Sequence, residues 1–410
     1  MIAGMQQQLI DGTWTDGRGE SVRSITNPAT REVLDTVPDA GPADVRRAVA
    51  AAVVAQRQWS RLPIQVRTTR LMELGIRVRA DADQLAMLMT RESGAPLPEA
   101  RDCVTDVAAC FEAAAAFGST ELPTLNDAAG IVAAIPSYRW PLLQMARVAV
   151  PALLEGHAWI GKPPATTPLT CLRFGRFHDS LPPGVLSMLT GGEGVAAALR
   201  QQPEVLPASA RQLEGDLEYR PIIVLPDAEL DLAVPGVSWA RLRQSGQAGD
   251  AAGPVLVCRS IAAEFADRLH EFLAFLEVGD PTKRETDLGP LISREAALQV
   301  EQRVAQAAKA GARLVLGGRC YQPWGLSGHF FQPTLLTGVH PDHVVYRERI
   351  AGPVLSITPV ADADEAIGLA AELRPSSVVV YGRMGGHRKP DVALSCITAP
   401  DSRWFPYAKR

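Results

Sequence analysis

Residues 130–189 read GIVAAIPSYRWPLLQMARVAVPALLEGHAWIGKPPATTPLTCLRFGRFHDSLPPGVLSML. Short apolar runs at residues 130–135, 158–161 and 184–189 alternate with helix-length segments, the clearest of them at residues 140–154. Strands separated by helices of this length are typical of βαβ units, in which the strands pair in parallel. We therefore predict an α/β fold built on mainly parallel sheets.

The pattern extends in both directions from this stretch. Amphipathic periodicity predicts helices over residues 42–59, 66–91 (with a break near Asp81) and 98–117. Beyond residue 220 the alternation of strands and helices resumes, which predicts a second α/β lobe. Its predicted strands are residues 222–225, 255–258, 314–316, 352–358 and 378–380, and its predicted helices are residues 227–247, 261–275, 294–309 and 362–373.

Composition and charge exclude several classes of protein. The 410 residues carry 41 Lys and Arg against 45 Asp and Glu, a net charge of −4, so we expect neither a nucleic acid nor an anionic membrane as partner. No apolar run is long enough to span a bilayer, and the chain starts without the pattern of a signal peptide. The six cysteines are scattered without a CxxC pair, which predicts reduced thiols, no metal site and a cytoplasmic location.

A direct search for catalytic motifs finds little. The stretch Gly191-Gly192-Glu193-Gly194 follows a predicted strand and is either a tight turn or a degenerate phosphate cradle. Cys258 ends the apolar run at residues 255–258 and is expected to be a small buried side chain rather than a nucleophile. The residues alone indicate an α/β protein without an assigned role.

Segments along nearly the whole chain resemble, in order, those of the NAD(P)-dependent aldehyde dehydrogenase superfamily. The resemblance implies an aldehyde-dehydrogenase-like fold with two Rossmann-like parallel-sheet lobes, here in a degenerate and truncated member with a reduced oligomerisation arm. The matching segments are residues 10–14 (IDGTW), 27–30 (NPAT), 151–157 (PALLEGH), 161–163 (GKP), 181–186 (LPPGVL), 227–231 (DAELD), 278–281 (VGDP), 288–292 (LGPLI), 311–313 (GAR) with 317–318 (GG), 333–335 (PTL) and 352–354 (GPV).

The resemblance also implies a domain organisation. Residues 1–120 and 136–235 would form a degenerate cofactor-binding-like domain, and residues 121–135 a shortened arm. Residues 236–398 would form a catalytic-like domain, and residues 399–410 a truncated C-terminal tail.

Three positions that do chemistry in the family are altered here. The family's cysteine nucleophile follows a "GQ-x" signature, and Gly249 stands at that position; a carboxylate nucleophile at the neighbouring Asp250 would give an anhydride instead of a thioester. Arg139 stands where the family has its oxyanion-binding asparagine. Glu214 is a possible remnant of the general-base glutamate. We expect no working catalytic residue from these replacements.

The cofactor positions are altered as well. Lys162 matches the family's adenosine-ribose lysine, whereas Arg349 replaces the glutamate that holds the nicotinamide ribose. The family's phosphate-binding turn and its helix fall between Pro203 and Leu213, where a βα unit is expected to be absent. We therefore expect no bound cofactor, and NAD(P) only if the chain is active.

Three functional hypotheses follow. The leading one is a pseudoenzyme without dehydrogenase activity that serves a binding, scaffolding or regulatory role and associates with itself or with an active paralogue. The alternative is an NAD(P)-dependent aldehyde dehydrogenase with displaced catalytic groups. A third is a different small-molecule role, such as an anion site lined by Arg139, Arg349 and Lys162, although solvent exposure of both arginines is the favoured expectation.

Overall fold

The computed structural model describes residues 7–19, 21–119, 130–206, 220–375, 377–383 and 393–397. The chain divides into two compact units, Met1–Gly215 and Asp216–Arg410. Each is an α/β structure with its own sheet. Among the described residues, no helix combines the length and the apolar character that crossing a bilayer requires.

The first unit is a sheet flanked by helices, with a separate hairpin. Its described strands are β1 (Gln8–Ile10), β2 (Thr13–Thr15), β3 (Val22–Thr26), β4 (Val33–Pro38), β5 (Ile131–Ala134), β6 (Ala158–Gly161), β7 (Leu186–Met188) and β8 (Val205–Leu206). Its described helices are α1 (Pro42–Trp59), α2 (Ile64–Ala80), α3 (Ala82–Ser93), α4 (Leu97–Glu112), α5 (Pro141–Leu154), α6 (Leu169–Gly175) and α7 (Glu193–Arg200). The sheet order is β2-β1-β7-β6-β5-β8, and β3 pairs with β4.

The pairing follows the predicted βαβ pattern. Strands β7, β6, β5 and β8 are parallel, whereas β1 is antiparallel to both β7 and β2. All residues of β5, β6 and β7 are buried, as expected of a parallel sheet covered on both faces. Helix α1 packs its apolar face, including Val45 and Val49, against Ile131 and Ile160 of this sheet. Burying such a side chain contributes about 1.5–3 kcal/mol.

Local sequence sets the helix ends in this unit. Pro42 begins α1, and the Asp44 side chain accepts hydrogen bonds from the backbone N–H groups of Gly41 (2.9 Å) and Arg18 (2.7 Å). The predicted break near Asp81 agrees with the boundary between α2 and α3. Helix α3 ends at Gly94, whose φ of 78° is a left-handed value that favours glycine.

The second unit is built on a mainly parallel sheet. Its described strands are β9 (Ile222–Val224), β10 (Val255–Cys258), β11 (Arg313–Leu316), β12 (Cys320–Tyr321), β13 (Phe330–Phe331), β14 (Thr334–Thr337), β15 (Val354–Val360), β16 (Ser377–Tyr381) and β17 (Ala393–Ile397). Its described helices are α8 (Leu230–Leu242), α9 (Arg259–Ala274), α10 (Arg294–Lys309), α11 (Val344–Arg347) and α12 (Ala363–Glu372). The order is β11-β14-β15-β10-β9-β16-β17, with β12 and β13 in a separate hairpin.

Strand β10 lies inside this sheet, parallel to both β9 and β15. Its side chains alternate between two cores, with Leu256 and Cys258 in one and Val255 and Val257 in the other. Cys258 is therefore a core side chain, in agreement with the sequence analysis. Only the antiparallel pairing of β11 with β14 departs from the parallel arrangement of this sheet, as far as it is described.

The prediction of an α/β fold with two parallel-sheet lobes is confirmed. Two strands near the expected domain boundaries belong to a different part of the fold from the one that the sequence analysis assigned them to. Strand β9 pairs with β10 and β16 of the second sheet, although residues 136–235 were assigned to the first domain. Strand β5 belongs to the first sheet, although it lies within residues 121–135, the expected arm.

A βα unit was expected to be absent between Pro203 and Leu213. A short strand, β8, nevertheless lies at the start of this stretch, where Val205 and Leu206 pair with β5. The remainder of the expected arm, residues 120–129, and the expected tail, residues 399–410, lie outside the described residues.

Candidate active site

Lys162 directly follows strand β6 of the first unit. Its backbone N–H donates to the Ala134 carbonyl (2.8 Å), which continues the pairing of β6 with β5 and fixes where the side chain begins. Lys162 is 5% exposed, and burial lowers the pKa of its ammonium group against the opposing effect of Glu193. Within the described part of the chain its ammonium makes no hydrogen bond. Lys162, which the sequence resemblance assigns to the adenosine ribose, is thus buried and has an ammonium group that can donate.

The charged groups around Lys162 pair with one another. Arg23 and Asp39 form a bidentate pair, with Nε to Oδ1 at 2.7 Å and Nη2 to Oδ2 at 2.8 Å. The guanidinium of Arg200, at the end of α7, donates to the carboxylate of Glu193 at its start (2.6 Å). Both arginines near Lys162 are thus bonded to a carboxylate. Lys162 is the cation of this cluster that has no carboxylate within hydrogen-bond distance among the described residues.

Arg139 lies in the loop before α5. The Gln144 side chain holds this loop by donating to the Ser137 hydroxyl and to the Arg139 carbonyl. The guanidinium carbon of Arg139 stacks 5.0 Å from the centre of the Tyr138 ring, a cation–π contact. Arg139 is half-buried, so the expectation of a solvent-exposed side chain is not met.

Residues 243–250 form a tightly held turn after helix α8, which we call the 243–250 turn. Gln244, Ser245 and Gly246 have φ values of 51°, 56° and 75°, so three successive residues adopt left-handed backbone. Such conformations cost about 1–3 kcal/mol each at non-glycine residues and persist where the surroundings enforce them, often at functional sites.

Hydrogen bonds from several segments enforce this turn. The Ser245 hydroxyl donates to the Gly289 carbonyl (2.8 Å), and the Gln247 side chain accepts from the Ile292 N–H (2.9 Å). The buried Arg241 side chain donates to the Gly246 carbonyl (3.2 Å). The backbone before position 249 is consequently fixed although its family side chain is missing.

The two altered family positions of the second unit meet at this turn. The Arg349 guanidinium donates to the backbone carbonyls of both Ala248 and Gly249. The half-buried arginine thus covers the peptide groups at the former nucleophile position, so the expected solvent exposure is not met here either. A cation that bonds to these carbonyls cannot take the acceptor role of the glutamate that it replaces.

A charged pair lies beside Gly249. The Arg243 side chain bonds through Nη1 to Oδ2 of Asp250 (2.6 Å) and stacks 4.6 Å from the centre of the Trp239 ring. The other carboxylate oxygen, Oδ1, is buried and has no hydrogen-bond partner within the described residues. The sequence analysis considered Asp250 only as a nucleophile and missed its ion pair with Arg243. Opposite charges seven residues apart in a turn follow no pattern from which such a pair could be predicted.

Four thiols among the described residues are not activated. Burial raises the pKa of Cys110, Cys171, Cys258 and Cys320. The described residues also contain no cluster of three or more His, Cys, Asp or Glu that could hold a metal ion. Glu214 lies outside the described residues, as do residues 207–213 of the stretch to which the sequence assigned the phosphate turn and its helix.

Comparisons with known proteins identify relatives that align with most of this chain. The model of the aldehyde dehydrogenase family matches residues 14–209 and 219–374. Glutarate-semialdehyde dehydrogenase from Pseudomonas aeruginosa is 31% identical, over 89% of this chain and 82% of that protein. The NADP+-dependent succinate-semialdehyde dehydrogenase of Escherichia coli is 32% identical, with the same two coverages of 89% and 82%.

A solved structure shares the fold. Aldehyde dehydrogenase C from Pseudomonas syringae, a cysteine-to-alanine variant in complex with NAD+ and octanal, superposes with a TM-score of 0.86. Its sequence is 28% identical, and the match covers 94% of this chain and 86% of that chain.

These relatives correct two expectations from the sequence. The hypothesis of a pseudoenzyme is wrong, because relatives about 31% identical over most of the chain are named as aldehyde dehydrogenases and none of the comparisons indicates a role without catalysis. The expectation of no cofactor is wrong as well, because one relative is named for NADP+ and a structural neighbour binds NAD+. The expected resemblance, by contrast, is confirmed: this chain belongs to the aldehyde dehydrogenase family.

Proposed function

We propose that the chain oxidises aldehydes to carboxylic acids with NAD(P)+ as oxidant, and that groups other than the family's cysteine perform the chemistry. The observation that carries the proposal is the match of the family over residues 14–209 and 219–374, which spans the described core of both units. The second part of the proposal follows from Gly249, which has no side chain that can attack a carbonyl.

The described residues of the first unit fit the adenosine half of a nicotinamide dinucleotide. Lys162 is buried at the end of β6, and its ammonium makes no hydrogen bond within the described residues, so it can donate to ribose hydroxyl groups. Burial lowers the pKa of this ammonium group, and the hydroxyl groups of a bound ribose would offset part of its desolvation by accepting hydrogen bonds from it. When bound, NAD(P)+ supplies the hydride acceptor.

The absence of a thiol at position 249 is compatible with binding of both substrates. The Pseudomonas syringae neighbour carries alanine in place of a cysteine and is still found with NAD+ and octanal. A site of this fold can therefore hold a dinucleotide and an aldehyde after losing a thiol. What Gly249 removes is the covalent route, not the ability to bind.

The first aldehydes to test are semialdehydes of dicarboxylic acids. Two relatives are named for glutarate semialdehyde and succinate semialdehyde, each of which carries a carboxylate. In this chain the Arg139 guanidinium stacks on Tyr138 and forms no ion pair with an acidic side chain of the described residues, so it can attract an anionic substrate.

The test combines binding with turnover. Purified protein is titrated with NAD+ and NADP+ by calorimetry, and reduced dinucleotide is then followed at its absorbance band with succinate semialdehyde, glutarate semialdehyde and octanal. We expect saturable binding of at least one dinucleotide and formation of its reduced form. Absence of binding at millimolar concentration, or binding without turnover of any aldehyde, would overturn the proposal.

Two expectations from the sequence stay predictions. Association with itself or with a paralogue is tested by light scattering of the purified protein alone and mixed with an active relative. The cytoplasmic location is tested by fractionation of the native cell.

A further inference from the structure

We infer that the chain selects NADP+ over NAD+, and that Lys162 and Arg200 hold the phosphate on the 2′ position of the adenosine ribose. The inference rests on the proposed function and names the oxidant that the proposed function leaves open. It starts from charged side chains of the first unit that we call the Lys162 cluster. The members of this cluster are Arg23, Asp39, Lys162, Glu193 and Arg200, and the charges of the other four act on the Lys162 ammonium.

Positive charge exceeds negative charge in the Lys162 cluster, which contains three cations and two carboxylates. A phosphate monoester carries a charge of about −1.5 to −2 at pH 7. The ribose hydroxyl that takes its place in NAD+ is neutral. The cluster therefore attracts the phosphorylated ribose more strongly than the unmodified one.

Both carboxylates of the cluster are already bonded to donors of the protein. Asp39 accepts from Arg23 on both oxygens (2.7 and 2.8 Å) and from the Ser21 hydroxyl on Oδ2 (2.7 Å). Glu193 accepts from Arg200 (2.6 Å). In dinucleotide-binding α/β folds an acidic side chain that accepts from the 2′-hydroxyl favours NAD+, whereas an arginine near this position accommodates the 2′-phosphate of NADP+. The cluster offers the second arrangement.

Two cations of the cluster are available to a phosphate. The Lys162 ammonium makes no hydrogen bond within the described residues. The Arg200 side chain is 54% exposed, and its partner Glu193 is more exposed still. Exposed ion pairs are weak, whereas arginine binds phosphate through two parallel N–H···O bonds, so a 2′-phosphate can compete with Glu193 for Arg200. Arg23 is held by Asp39 and contributes its charge alone.

The backbone beside the cluster also favours an anion. Gly192 directly precedes helix α7, whose start has no side-chain cap, and the N–H groups at such a helix end attract negative charge. A Cβ at Gly192 would lie 2.7 Å from Nη2 of Arg23, so the glycine lets this guanidinium lie against the start of the helix. The sequence left residues 191–194 open as a tight turn or a phosphate cradle, and the inference makes them part of a cradle for the 2′-phosphate.

The experiment measures binding of the adenosine half and does not depend on turnover. Adenosine 2′,5′-bisphosphate and adenosine 5′-monophosphate, which differ only in the 2′-phosphate, are titrated into the full chain by calorimetry, followed by NADP+ and NAD+. We expect the 2′-phosphorylated member of each pair to bind about 10- to 100-fold more tightly. This preference should decrease as the salt concentration rises, because salt screens exposed charges.

Two variants of one ion pair separate a role of charge from a role in structure. Arg200→Gln removes a cation and should reduce the preference for the 2′-phosphate about 10-fold, whereas Glu193→Gln removes a competing carboxylate and should increase it. A pair that only stabilises the helix would change binding in the same direction with both substitutions. The matched control is Arg101→Gln, which alters an arginine that is also 54% exposed and pairs with Asp83 (3.1 Å), and all four Kd values should stay within about twofold.

The outcomes distinguish this inference from the proposed function. Equal Kd values for NADP+ and NAD+, tighter binding of NAD+, or a change in the same direction with Arg200→Gln and Glu193→Gln would overturn the inference and leave the proposed function intact. Absence of binding of either dinucleotide to the wild type would overturn the proposed function and this inference with it. Melting temperatures of the variants close to that of the wild type establish that the compared proteins are folded.

Discussion

Two regions of the molecule differ in how far they keep the residues expected from the family. One is the end of strand β6 in the first unit, and the other is the 243–250 turn in the second unit. At the first, Lys162 keeps both the residue of the family and a buried setting in which its ammonium can donate. At the second, Gly249 has lost the family's side chain, yet its backbone is held by Arg349 and by hydrogen bonds along the turn. Under the proposed function we expect dinucleotide binding to be retained at the first region and the covalent route to be absent at the second.

The sharpest test of the turn is Gly246→Ala. A Cβ at Gly246 would lie 2.0 Å from the Gly352 carbonyl oxygen, and φ is 75°. Overpacking and left-handed backbone together should lower the free energy of unfolding by about 2–5 kcal/mol, measured by urea denaturation. Gly338→Ala is the control, because φ there is 63° and nothing lies within 4 Å. Equal losses for the two variants would show that the turn is not tightly packed.

We expect the stability of the first unit to depend on pH because it contains a buried carboxyl group, that of Glu92. Burial raises the pKa of Glu92 to about 7, although the N–H groups of Leu169 (2.7 Å) and Thr170 (2.9 Å) donate to it. A folded pKa above the unfolded one means that the stabilisation is complete below about pH 4.5 and is lost as the pH rises through 7.

The stability should therefore fall by about 3 kcal/mol between pH 4.5 and pH 8, and Glu92→Gln should remove that dependence. Urea denaturation at a series of pH values measures it, with the exposed Glu271→Gln as control. A wild-type profile that is flat, or that rises with pH over this window, would contradict the assignment.

Lys162→Met tests whether the dinucleotide end has been kept. Loss of a charged donor to the ribose should weaken dinucleotide binding about 10- to 100-fold, the equivalent of about 1.5–3 kcal/mol. The melting temperature should not fall, because methionine removes a desolvated ammonium group. Calorimetric titration measures the Kd, and Lys309→Met at an exposed helix end is the control. An unchanged Kd would show that Lys162 is a remnant without function.

Arg349→Met tests the cover over the former nucleophile position. It removes two hydrogen bonds to the carbonyls of Ala248 and Gly249, which should cost about 1–2 kcal/mol of unfolding free energy. Arg319→Met, which alters an exposed arginine, should cost less than half as much by urea denaturation. If the two variants were equally stable, Arg349 would not stabilise the turn.

Much of the fold could be predicted because its signals are local. The run at residues 255–258 is continuous and apolar, and it forms strand β10 with those bounds. The start of α1 could be predicted because Pro42 and Asp44 are local signals of a helix N-terminus. Strand β9, by contrast, was assigned to the wrong side of the domain boundary, because an apolar strand pattern does not state which sheet the strand joins.

The site was less predictable because its contacts are distant in sequence. The resemblance identified Gly249 and Arg349 as altered positions, but not that one donates to the carbonyl of the other across a hundred residues. The resemblance also did not distinguish a chain that has lost its activity from one in which other residues perform the chemistry, because a glycine at position 249 is compatible with both. The burial of a single oxygen of Asp250 is a property of packing, for which the sequence carries no pattern.

The most direct measurement is the rate of aldehyde oxidation after complete alkylation of accessible thiols with iodoacetamide. The account predicts that reduced dinucleotide forms at the same rate before and after alkylation, because no cysteine takes part. Loss of turnover on alkylation, with the label on one cysteine, would contradict it.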